Sequence, residues 1–396
     1  MTARHKLKVL QVIDTLSMGG AETWLMEVLR LWSQNKTGQM DFLLTGGVRG
    51  IFDDEAQRLG AKLHYLKYGR SSLSQFVGEF RKILRQERYD AIHDHADYAG
   101  GVHFLWGVGC LPNVRVAHVH NPWLHIETNY GTSVSRRFSA RAGKFFVQRL
   151  ATHVCGTSAD ILRQYGFPLQ PHTRPLTAVL HCGFNVGRFN APIGPDRASV
   201  LSEFGWDQMA RIVLFAGRLD RALEFEHPQN HKNSWLALNV VRAAAEKDKS
   251  VCLLMAGDGV PQRQEMQKHI DSWGLSDRLR LLGVREDMPR LMRAADMLFF
   301  PSNQEGLGMV AVEAQAAGLP VLASDAVPAA ANVVPQLFRT LPVRASLADW
   351  TDALFATLDA PRVALDVARR AVEASDFSIE TSASRLIRIY GAGRHR

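Results

Sequence analysis

Short apolar runs rich in β-branched residues alternate with longer amphipathic stretches along almost the whole 396-residue chain. This alternation predicts strand–helix–strand units, in which successive strands lie parallel in one sheet and helices cover both faces. A chain of this length exceeds one ordinary domain and suits two of roughly 150–200 residues each. The pattern therefore predicts an α/β fold with two doubly wound parallel-sheet domains in tandem.

The strand-like runs divide into two groups, separated by a proline- and glycine-containing segment at 191–195 that we interpret as a linker. The first group comprises 8–13, 41–45, 62–66, 90–93, 114–118, 152–156 and 177–181, and the second comprises 211–216, 251–256, 280–282, 297–301 and 320–324. Two helical patterns, 361–374 and 379–390, close the chain. We therefore predict an N-terminal domain over 1–192, a C-terminal domain over 193–376, and a last helical segment, 377–396, that packs back on the first domain.

Charge is distributed unevenly between the two predicted domains. The first 195 residues hold 23 Lys and Arg against 14 Asp and Glu, although the net charge of the whole chain is only +8. A basic half can serve nucleic acid, anionic lipid or phosphorylated ligands. No nucleic-acid recognition motif accompanies it, so nucleic acid is not an expected partner.

The lengths of the apolar runs and the spacing of the cysteines indicate where the protein is located and whether its cysteines are reduced. Asp14 ends the first run too early for a secretory signal, and no stretch approaches the ~20 apolar residues that cross a bilayer. The four cysteines lie far apart and form no Cys-x-x-Cys pair, so they suggest neither a zinc site nor a disulfide framework. We expect a cytoplasmic protein with reduced cysteines.

Two groups of residues that suit anion binding follow predicted strands, where open parallel sheets bind their ligands. Gly19 and Gly20 follow the first strand and open a helix, so backbone amides could approach a phosphate there. Tight strand–helix packing is the alternative reason for this pair. Arg218 follows the first strand of the second half, and Lys232 comes later. Two such cations could clamp a diphosphate and stabilise the charge that develops as it leaves.

A pair of carboxylates follows a buried strand late in the chain. Glu305 lies in the loop, Gly306, Leu307 and Gly308 offer amides at a helix start, and Glu313 lies further along that helix. The two carboxylates could accept hydrogen bonds from hydroxyls at separate points of one elongated ligand. An acidic pair on a helix is more often simply solvated.

Two His-x-His pairs, His93 with His95 and His118 with His120, stand at the ends of predicted strands. Alternate residues of a strand share a face, so each pair could hold a metal. Hydrogen bonding to substrate hydroxyls, or packing, is the favoured interpretation because no third carboxylate or cysteine ligand is evident. No metal site is predicted.

Taken together, these segments resemble the GT-B glycosyltransferases of family 4, a large group of retaining enzymes that includes those making capsule and exopolysaccharide. The resemblance covers nearly the whole chain. Its most specific part runs from Glu305 to Glu313 and on to Val321. The other segments are Gly19-Gly20-Ala21-Glu22, His118-Val119-His120-Asn121, Cys182-Gly183-Phe184-Asn185, Gly217-Arg218, Ala256-Gly257-Asp258-Gly259 and the loop 282–287.

The resemblance implies two Rossmann-like domains facing each other across a cleft, and transfer of a sugar with retained configuration and with neither metal nor cofactor. The expected donor is a nucleotide diphosphate sugar, UDP-linked rather than GDP-linked. The expected acceptor is a glycan or lipid-linked molecule of capsule, exopolysaccharide or lipopolysaccharide biosynthesis. A nucleotide-sugar epimerase of the same architecture is the alternative. An oxidoreductase is disfavoured because no Gly-x-Gly-x-x-Gly follows a strand in the proper place.

The resemblance also implies roles for individual residues, four of them catalytic: Glu305, His120, Arg218 and Lys232. By this resemblance, Glu305 and the amides of 306–308 face the transferred sugar, and His120 lies near the reacting face of that sugar. Arg218 and Lys232 bind the diphosphate, and Gly19 and Gly20 lie near the diphosphate and the acceptor. Glu313 holds the ribose, and Gly283, Val284 and Arg285 form the base pocket. The 219–231 segment is longer than the spacing usual in the family. Arg221 is therefore an alternative to Lys232.

One basic amphipathic stretch, 135–150, suits a membrane surface. No acidic residue occurs between Glu127 and Asp160, and Phe138, Ala142, Phe145, Phe146 and Leu150 recur at helical spacing. Such a helix can rest on anionic lipid, although an ordinary domain helix with a solvated basic face has the same pattern. Peripheral association with the inner face of the plasma membrane is the expectation.

Overall fold

A computed structural model describes residues 6–123, 134–169, 174–190, 193–220, 230–257 and 259–392, and for 134–137 and 193 the backbone alone. The chain divides into two compact units. The first comprises the chain up to Asn185 together with the segment from Asp376 onward, and the second is Val186–Ser375.

The first unit is built on a seven-stranded, all-parallel sheet with the order β3-β2-β1-β4-β5-β6-β7. Its strands are β1 (Leu7–Ile13), β2 (Gly38–Leu44), β3 (Leu63–Tyr65), β4 (Ala91–Asp94), β5 (Val114–Val119), β6 (His153–Gly156) and β7 (Leu176–Val179). Its α-helices before the second unit are α1 (Gly20–Asn35), α2 (Asp53–Arg58), α3 (Leu73–Glu87), α4 (Gly100–Gly107), α5 (Val134–Leu150) and α6 (Ala159–Gln164), with short 3₁₀ turns at Arg70–Ser72 and Asp97–Ala99.

The second unit is built on a six-stranded, all-parallel sheet with the order β10-β9-β8-β11-β12-β13. Its strands are β8 (Arg211–Ala216), β9 (Val251–Ala256), β10 (Leu279–Gly283), β11 (Met297–Phe300), β12 (Val321–Ser324) and β13 (Phe338–Leu341). Its helices are α7 (Ile193–Phe204), α8 (Ser234–Lys247), α9 (Val260–Ser272), α10 (Met288–Ala294), α11 (Met309–Ala316), α12 (Leu347–Leu358) and α13 (Leu365–Glu373), with 3₁₀ turns at Val186–Phe189, Ala329–Ala331 and Pro335–Leu337.

The central strands of the second sheet are apolar on both faces, which is what helices on both sides of a parallel sheet require. All six residues of β9 and all four of β11 are buried, as are the last five of β8. The first sheet differs because polar residues interrupt its central strands. Gln11, His93 and His118 are completely buried, and each must find its partners inside the fold.

The last helix, α14 (Ile379–Gly391), belongs to the first unit and packs against α1 and β1. Ser382 accepts a hydrogen bond from the Trp24 indole at 2.9 Å and donates one to the His181 carbonyl. A side chain at Gly183 would come within 2.7 Å of Ser382 and of the Ser378 carbonyl. Glycine at this position therefore lets the end of the chain approach the sheet.

The predicted fold class is confirmed, and the differences lie in elements with weak or mixed patterns. Helix α7 begins at Ile193, inside the segment interpreted as a linker, and residues 191–192 lie outside the described part of the chain. Strand β13 was not predicted, because it is an edge strand whose residues are half-buried or exposed. All four cysteines are free thiols. No helix among the described residues combines the length and the apolar character needed to span a membrane.

Candidate active site

Both sheets have the strand order of nucleotide-binding doubly wound folds, which places a ligand site where the order reverses. In the first unit this reversal falls between β1 and β4, and in the second it falls between β8 and β11. Gly19 and Gly20 follow β1, His95 follows β4, Arg218 follows β8 and Glu305 follows β11. The candidate residues of each unit therefore lie at the carboxyl ends of the two strands that flank a reversal.

Lys232 and Glu305 form an ion pair in the second unit. The Lys232 ammonium lies 2.5 Å from Glu305 Oε1 and 5.6 Å from the centre of the Phe300 ring. Ser302 donates a hydrogen bond to the same carboxylate oxygen at 2.8 Å. The side chain of Glu305 is 8% exposed and that of Lys232 is 26% exposed, so water screens this pair less than a surface pair.

Lys232 is thus brought to the site despite the long segment that separates it from Arg218, and the alternative residue Arg221 lies outside the described part of the chain. The side chain of Lys232 runs past Gly217, where a Cβ atom would lie 3.3 Å from Lys232 Cγ. Arg218 is exposed, and no carboxylate of the described residues forms an ion pair with it. One cation at this strand end is therefore paired, and the other has no carboxylate partner among the described residues.

A buried carboxylate that sequence reasoning missed, Asp220, holds Lys232 in position. Asp220 is 2% exposed and accepts hydrogen bonds from the backbone amides of His231, Lys232 and Ser234 at 2.8–3.2 Å. Asn303, beyond β11, donates to the Asn230 carbonyl at 2.9 Å. These bonds anchor the 230–234 segment to the ends of β8 and β11 at once.

Helix α11 begins beside this pair. Gly308 stands before its first residue with φ +82°, a conformation that favours glycine, and a Cβ there would lie 2.9 Å from Val327. The first amides of a helix lack partners within the helix and attract anions. Glu313 is the fifth residue of α11 and is half-buried. Gly306 and Leu307 lie between Glu305 and this helix start.

In the proposed base pocket at 283–285, backbone groups and not the charge of Arg285 are available to a ligand. Gly283 has φ +70° and its carbonyl accepts a hydrogen bond from Gly257 at 2.8 Å, while Val284 is exposed. The Arg285 guanidinium is paired with Glu203 and Asp287, each at 2.8 Å. These two carboxylates hold the pKa of Arg285 above its ordinary value, so its charge already has partners within the protein.

In the first unit the two glycines after β1 differ in what surrounds them. A Cβ atom at Gly19 would collide with the Glu22 carboxylate, whereas a Cβ at Gly20 would meet no atom within 4 Å. Burial is the main reason why the pKa of Glu22 is raised. A side chain at Gly19 would therefore have to displace the Glu22 carboxylate, whereas the space over Gly20 is open to a ligand.

A buried chain of hydrogen bonds connects His120 to the last helix. The Gln11 amide nitrogen donates to the Tyr390 hydroxyl at 3.1 Å, Gln11 Oε1 lies 2.9 Å from His95 Nε2, and His95 Nδ1 lies 3.0 Å from His120 Nε2. Because Gln11 Oε1 can only accept, His95 Nε2 carries a proton and His95 Nδ1 accepts from His120. Burial lowers the pKa of His95 far below its usual range and that of His120 to about 4. The Nδ1 of a neutral His120 is then left as a hydrogen-bond acceptor.

Asp97 supports His120 much as Asp220 supports Lys232. It accepts hydrogen bonds from the backbone amide of His120 at 2.7 Å and from the Asn121 side chain at 2.8 Å. Its backbone has φ +51°, an uncommon conformation for a residue with a side chain. Burial raises its pKa to about 6 even though these donors favour the ionised form.

Comparison with known proteins identifies the class to which this fold and site belong. Residues 19–183 match the family described as "Glycosyl transferase 4-like domain", and residues 210–358 match "Glycosyl transferases group 1". The chain belongs to the GT-B glycosyltransferases of family 4 type, and it is a glycosyltransferase.

Similar proteins span nearly the same length. EpsF of Bacillus subtilis, named as a glycosyltransferase, is 26% identical over 386 residues, which cover 97% of this chain and 96% of EpsF. The D-inositol 3-phosphate glycosyltransferase of Nocardia farcinica is 30% identical over 349 residues, or 81% of this chain and 71% of the relative. Anabaena HepE, solved in complex with UDP and glucose, has the same fold, with a TM-score of 0.73 at 19% identity, covering 98% of this chain and 100% of HepE.

Proposed function

We propose that this glycosyltransferase moves a sugar with retained configuration from a nucleotide diphosphate sugar, UDP-linked rather than GDP-linked, to a glycan or lipid-linked acceptor of cell-surface polysaccharide, capsule or lipopolysaccharide biosynthesis. The observation that carries the proposal is the Lys232–Glu305 pair beside Arg218 at the β8–β11 reversal. The UDP and glucose in the HepE structure and the family of the chain support it.

In this proposal the second unit binds the donor. Arg218 and Lys232 take the diphosphate, and the amides at the start of α11 add partial positive charge. Glu305 faces the sugar and accepts hydrogen bonds from its hydroxyls, and Glu313 accepts those of the ribose. The backbone of 283–285 contacts the base. Lys232 then divides its charge between Glu305 and the leaving diphosphate.

No metal or cofactor is assigned to the transfer step, because two side-chain cations can offset the charge of the leaving group. Bond cleavage leaves electrons on the diphosphate oxygen and positive charge on the sugar ring. The acceptor hydroxyl attacks from the face that the diphosphate leaves, and its proton passes to a diphosphate oxygen. The unprotonated Nδ1 of His120 is proposed to accept a hydrogen bond from a sugar hydroxyl. The open space at Gly20 is proposed to admit the acceptor.

Donor binding is tested by thermal unfolding of the protein with UDP, GDP, ADP, dTDP or NAD. At a concentration of about 100 times the Kd, the bound nucleotide should stabilise the protein by about 2.7 kcal/mol, a Tm rise of roughly 5–10 °C. We expect UDP to give the largest rise and the Glu313→Ala variant to lose it. The matched control is Glu246→Ala, an exposed carboxylate on α8, which should keep the UDP response.

A shift with NAD alone, or equal UDP shifts for wild type and Glu313→Ala, would contradict the donor-site assignment. NMR of the transferred sugar then reports whether its anomeric configuration is retained, and addition of EDTA reports whether the transfer needs a metal.

We also propose that helix α5 holds the enzyme against an anionic membrane. Ala140, Gly143 and Val147 form its buried face, whereas Phe138 and Phe145 are 73% and 49% exposed. Arg141 and Arg149 are exposed beside these rings, and the Arg149 guanidinium lies 5.3 Å from the centre of the Phe145 ring. A face of aromatic and basic side chains suits the headgroup region of anionic lipid.

Vesicle sedimentation tests this membrane proposal. Binding to phosphatidylglycerol vesicles at low salt should exceed binding to phosphatidylcholine, since each basic residue near the surface contributes about 1 kcal/mol. The double variant Phe138→Ser/Phe145→Ser should bind at least ~10-fold more weakly, because burial of each ring contributes about 1.5–3 kcal/mol. Ile51→Ser, which removes another exposed apolar side chain of the same unit, should bind like wild type. Equal binding to both lipids, or no loss in the double variant, would refute a role for this face.

A further inference from the structure

Four histidines from neighbouring strands meet at one place in the first unit. His93 and His95 come from the end of β4, and His118 and His120 come from the end of β5, which pairs with β4 in parallel. Ring centres lie 4.2 Å apart for His93 and His95, 4.0 Å for His118 and His120, and 5.3 Å for His93 and His118. The Trp24 ring packs against all four, at 5.5–6.5 Å.

Two of these rings have nitrogens without a hydrogen-bond partner among the described residues, and a third ring, that of His95, lies close enough to complete a set of ligands. His93, His95 and His118 are buried, and each offers one ring nitrogen within 4.8 Å of those of the other two. His93 Nε2 and both nitrogens of His118 make no hydrogen bond to the described residues; the Leu180 backbone lies beside His118 without hydrogen-bond geometry. A buried polar group left in this way destabilises the fold.

The remaining nitrogens are oriented as in metal sites, where a ligating histidine usually bonds a second group through its other nitrogen. His93 Nδ1 lies 2.6 Å from the Tyr390 hydroxyl, and His95 Nε2 bonds Gln11 Oε1. These bonds leave His93 Nε2 and His95 Nδ1 as the candidate ligand atoms, and His95 Nδ1 is shared with His120 Nε2 at 3.0 Å.

We propose that His93, His95 and His118 form a binding site for a divalent transition-metal ion of the zinc class. Three imidazoles with an open fourth position are a ligand set that Zn²⁺ accepts. Zinc–nitrogen bonds of about 2.0–2.1 Å place tetrahedral ligand atoms roughly 3.3 Å apart, so the three rings must move inward slightly. His120 Nε2, 3.0 Å from His95 Nδ1, stands where a fourth ligand can join.

The sequence did not predict this metal site because the two His-x-His pairs were considered separately. Each pair lacks a third ligand of its own, and the neighbouring strand supplies it as another histidine. The inference goes beyond the proposed function and does not depend on it, because His93, His95 and His118 have no role in that proposal. Only His120, the possible fourth ligand, is shared with the proposed contact to the sugar.

The test uses the untagged full chain, stripped with a chelator and then given Co²⁺ or Zn²⁺ alone. We expect one equivalent of metal to remain after dialysis, the intense visible absorption of tetrahedral Co²⁺, and a higher Tm. His118→Phe keeps a ring of similar size but removes a ligand, and should weaken binding at least ~100-fold. Gln11→Leu removes only the partner of a ligand and should weaken binding about 10- to 100-fold. His64→Phe, at a half-buried histidine outside the cluster, should bind like wild type.

Failure of wild type to retain an equivalent of metal, or unchanged binding in His118→Phe, would overturn the proposal. Unfolding curves without metal show whether each variant folds, and His93→Asn carries the same test if His118→Phe does not. The UDP-induced Tm shift, measured on the metal-free samples, reports on the donor site separately.

Discussion

Replacement of Lys232 by methionine is expected to lower kcat for sugar transfer by roughly 100- to 1000-fold, the effect typical of losing a preorganised group that stabilises developing charge. Lys232 is the cation whose position the fold specifies most fully, through Asp220 and through its 2.5 Å contact with Glu305. Methionine keeps much of the side-chain volume and removes the charge. The measurement is steady-state transfer with a UDP-sugar, compared with Lys249→Met, which neutralises an exposed lysine of the same unit.

The double variant Lys232→Met/Glu305→Gln distinguishes the role of the Lys232 charge in sugar transfer from its role in the stability of the fold. Methionine alone leaves the Glu305 carboxylate buried without its ammonium partner, which is destabilising. The neutral pair should recover most of that stability while transfer stays low. Wild-type kcat in Lys232→Met, or recovery of transfer in the double variant, would show that Lys232 serves the fold and not the leaving group.

Replacement of Asp220 by alanine is expected to lower the free energy of unfolding by about 3 kcal/mol and to impair transfer as well. Three backbone amides and the Ser234 hydroxyl bond this carboxylate, and buried donors left without an acceptor cost about 1–3 kcal/mol each before water or local movement relieves them. Urea unfolding measures the stability, and the UDP-induced Tm shift reports on the site.

Asp325→Ala is the matched control for Asp220. The Asp325 carboxylate also accepts a backbone hydrogen bond, from Val343 at 2.9 Å, but Asp325 is exposed. Water can replace it there, so the expected loss is less than about 1 kcal/mol. Equal losses at the two positions would mean that Asp220 is an ordinary turn residue and does not position Lys232.

Elements with a strong apolar pattern could be predicted from sequence, often to within a residue or two. The predicted strands 211–216 and 251–256 are those observed, and 379–390 is the last helix but for one residue. Strand β13 and helix α7 could not be predicted in this way, since one is largely exposed and the other begins with Ile193-Gly194-Pro195, a sequence typical of a loop. The apolar pattern of an element arises because its residues are buried, so the pattern is weak where the element is only partly buried.

The candidate site was predicted less completely than the fold. Motif spacing pointed to Lys232, Glu305 and His120, and their roles in transfer remain predictions. The residues that hold them, Asp220 and Asp97, carry no pattern of their own. A buried polar residue in an apolar strand, Gln11, was the one sequence signal that could have revealed the hydrogen-bond chain to His120.

The sequence by itself determined that this chain forms two parallel α/β units and that its unusual residues gather at strand ends, because apolar periodicity is a local property. The tertiary structure alone decided which of those residues meet. Gln11 and Tyr390 are 379 residues apart and Lys232 and Glu305 are 73 apart, yet each pair shares a hydrogen bond. Such contacts depend on strand order and on the path of the last helix. A different sequence with the same local pattern could form the same elements and bring other residues into contact.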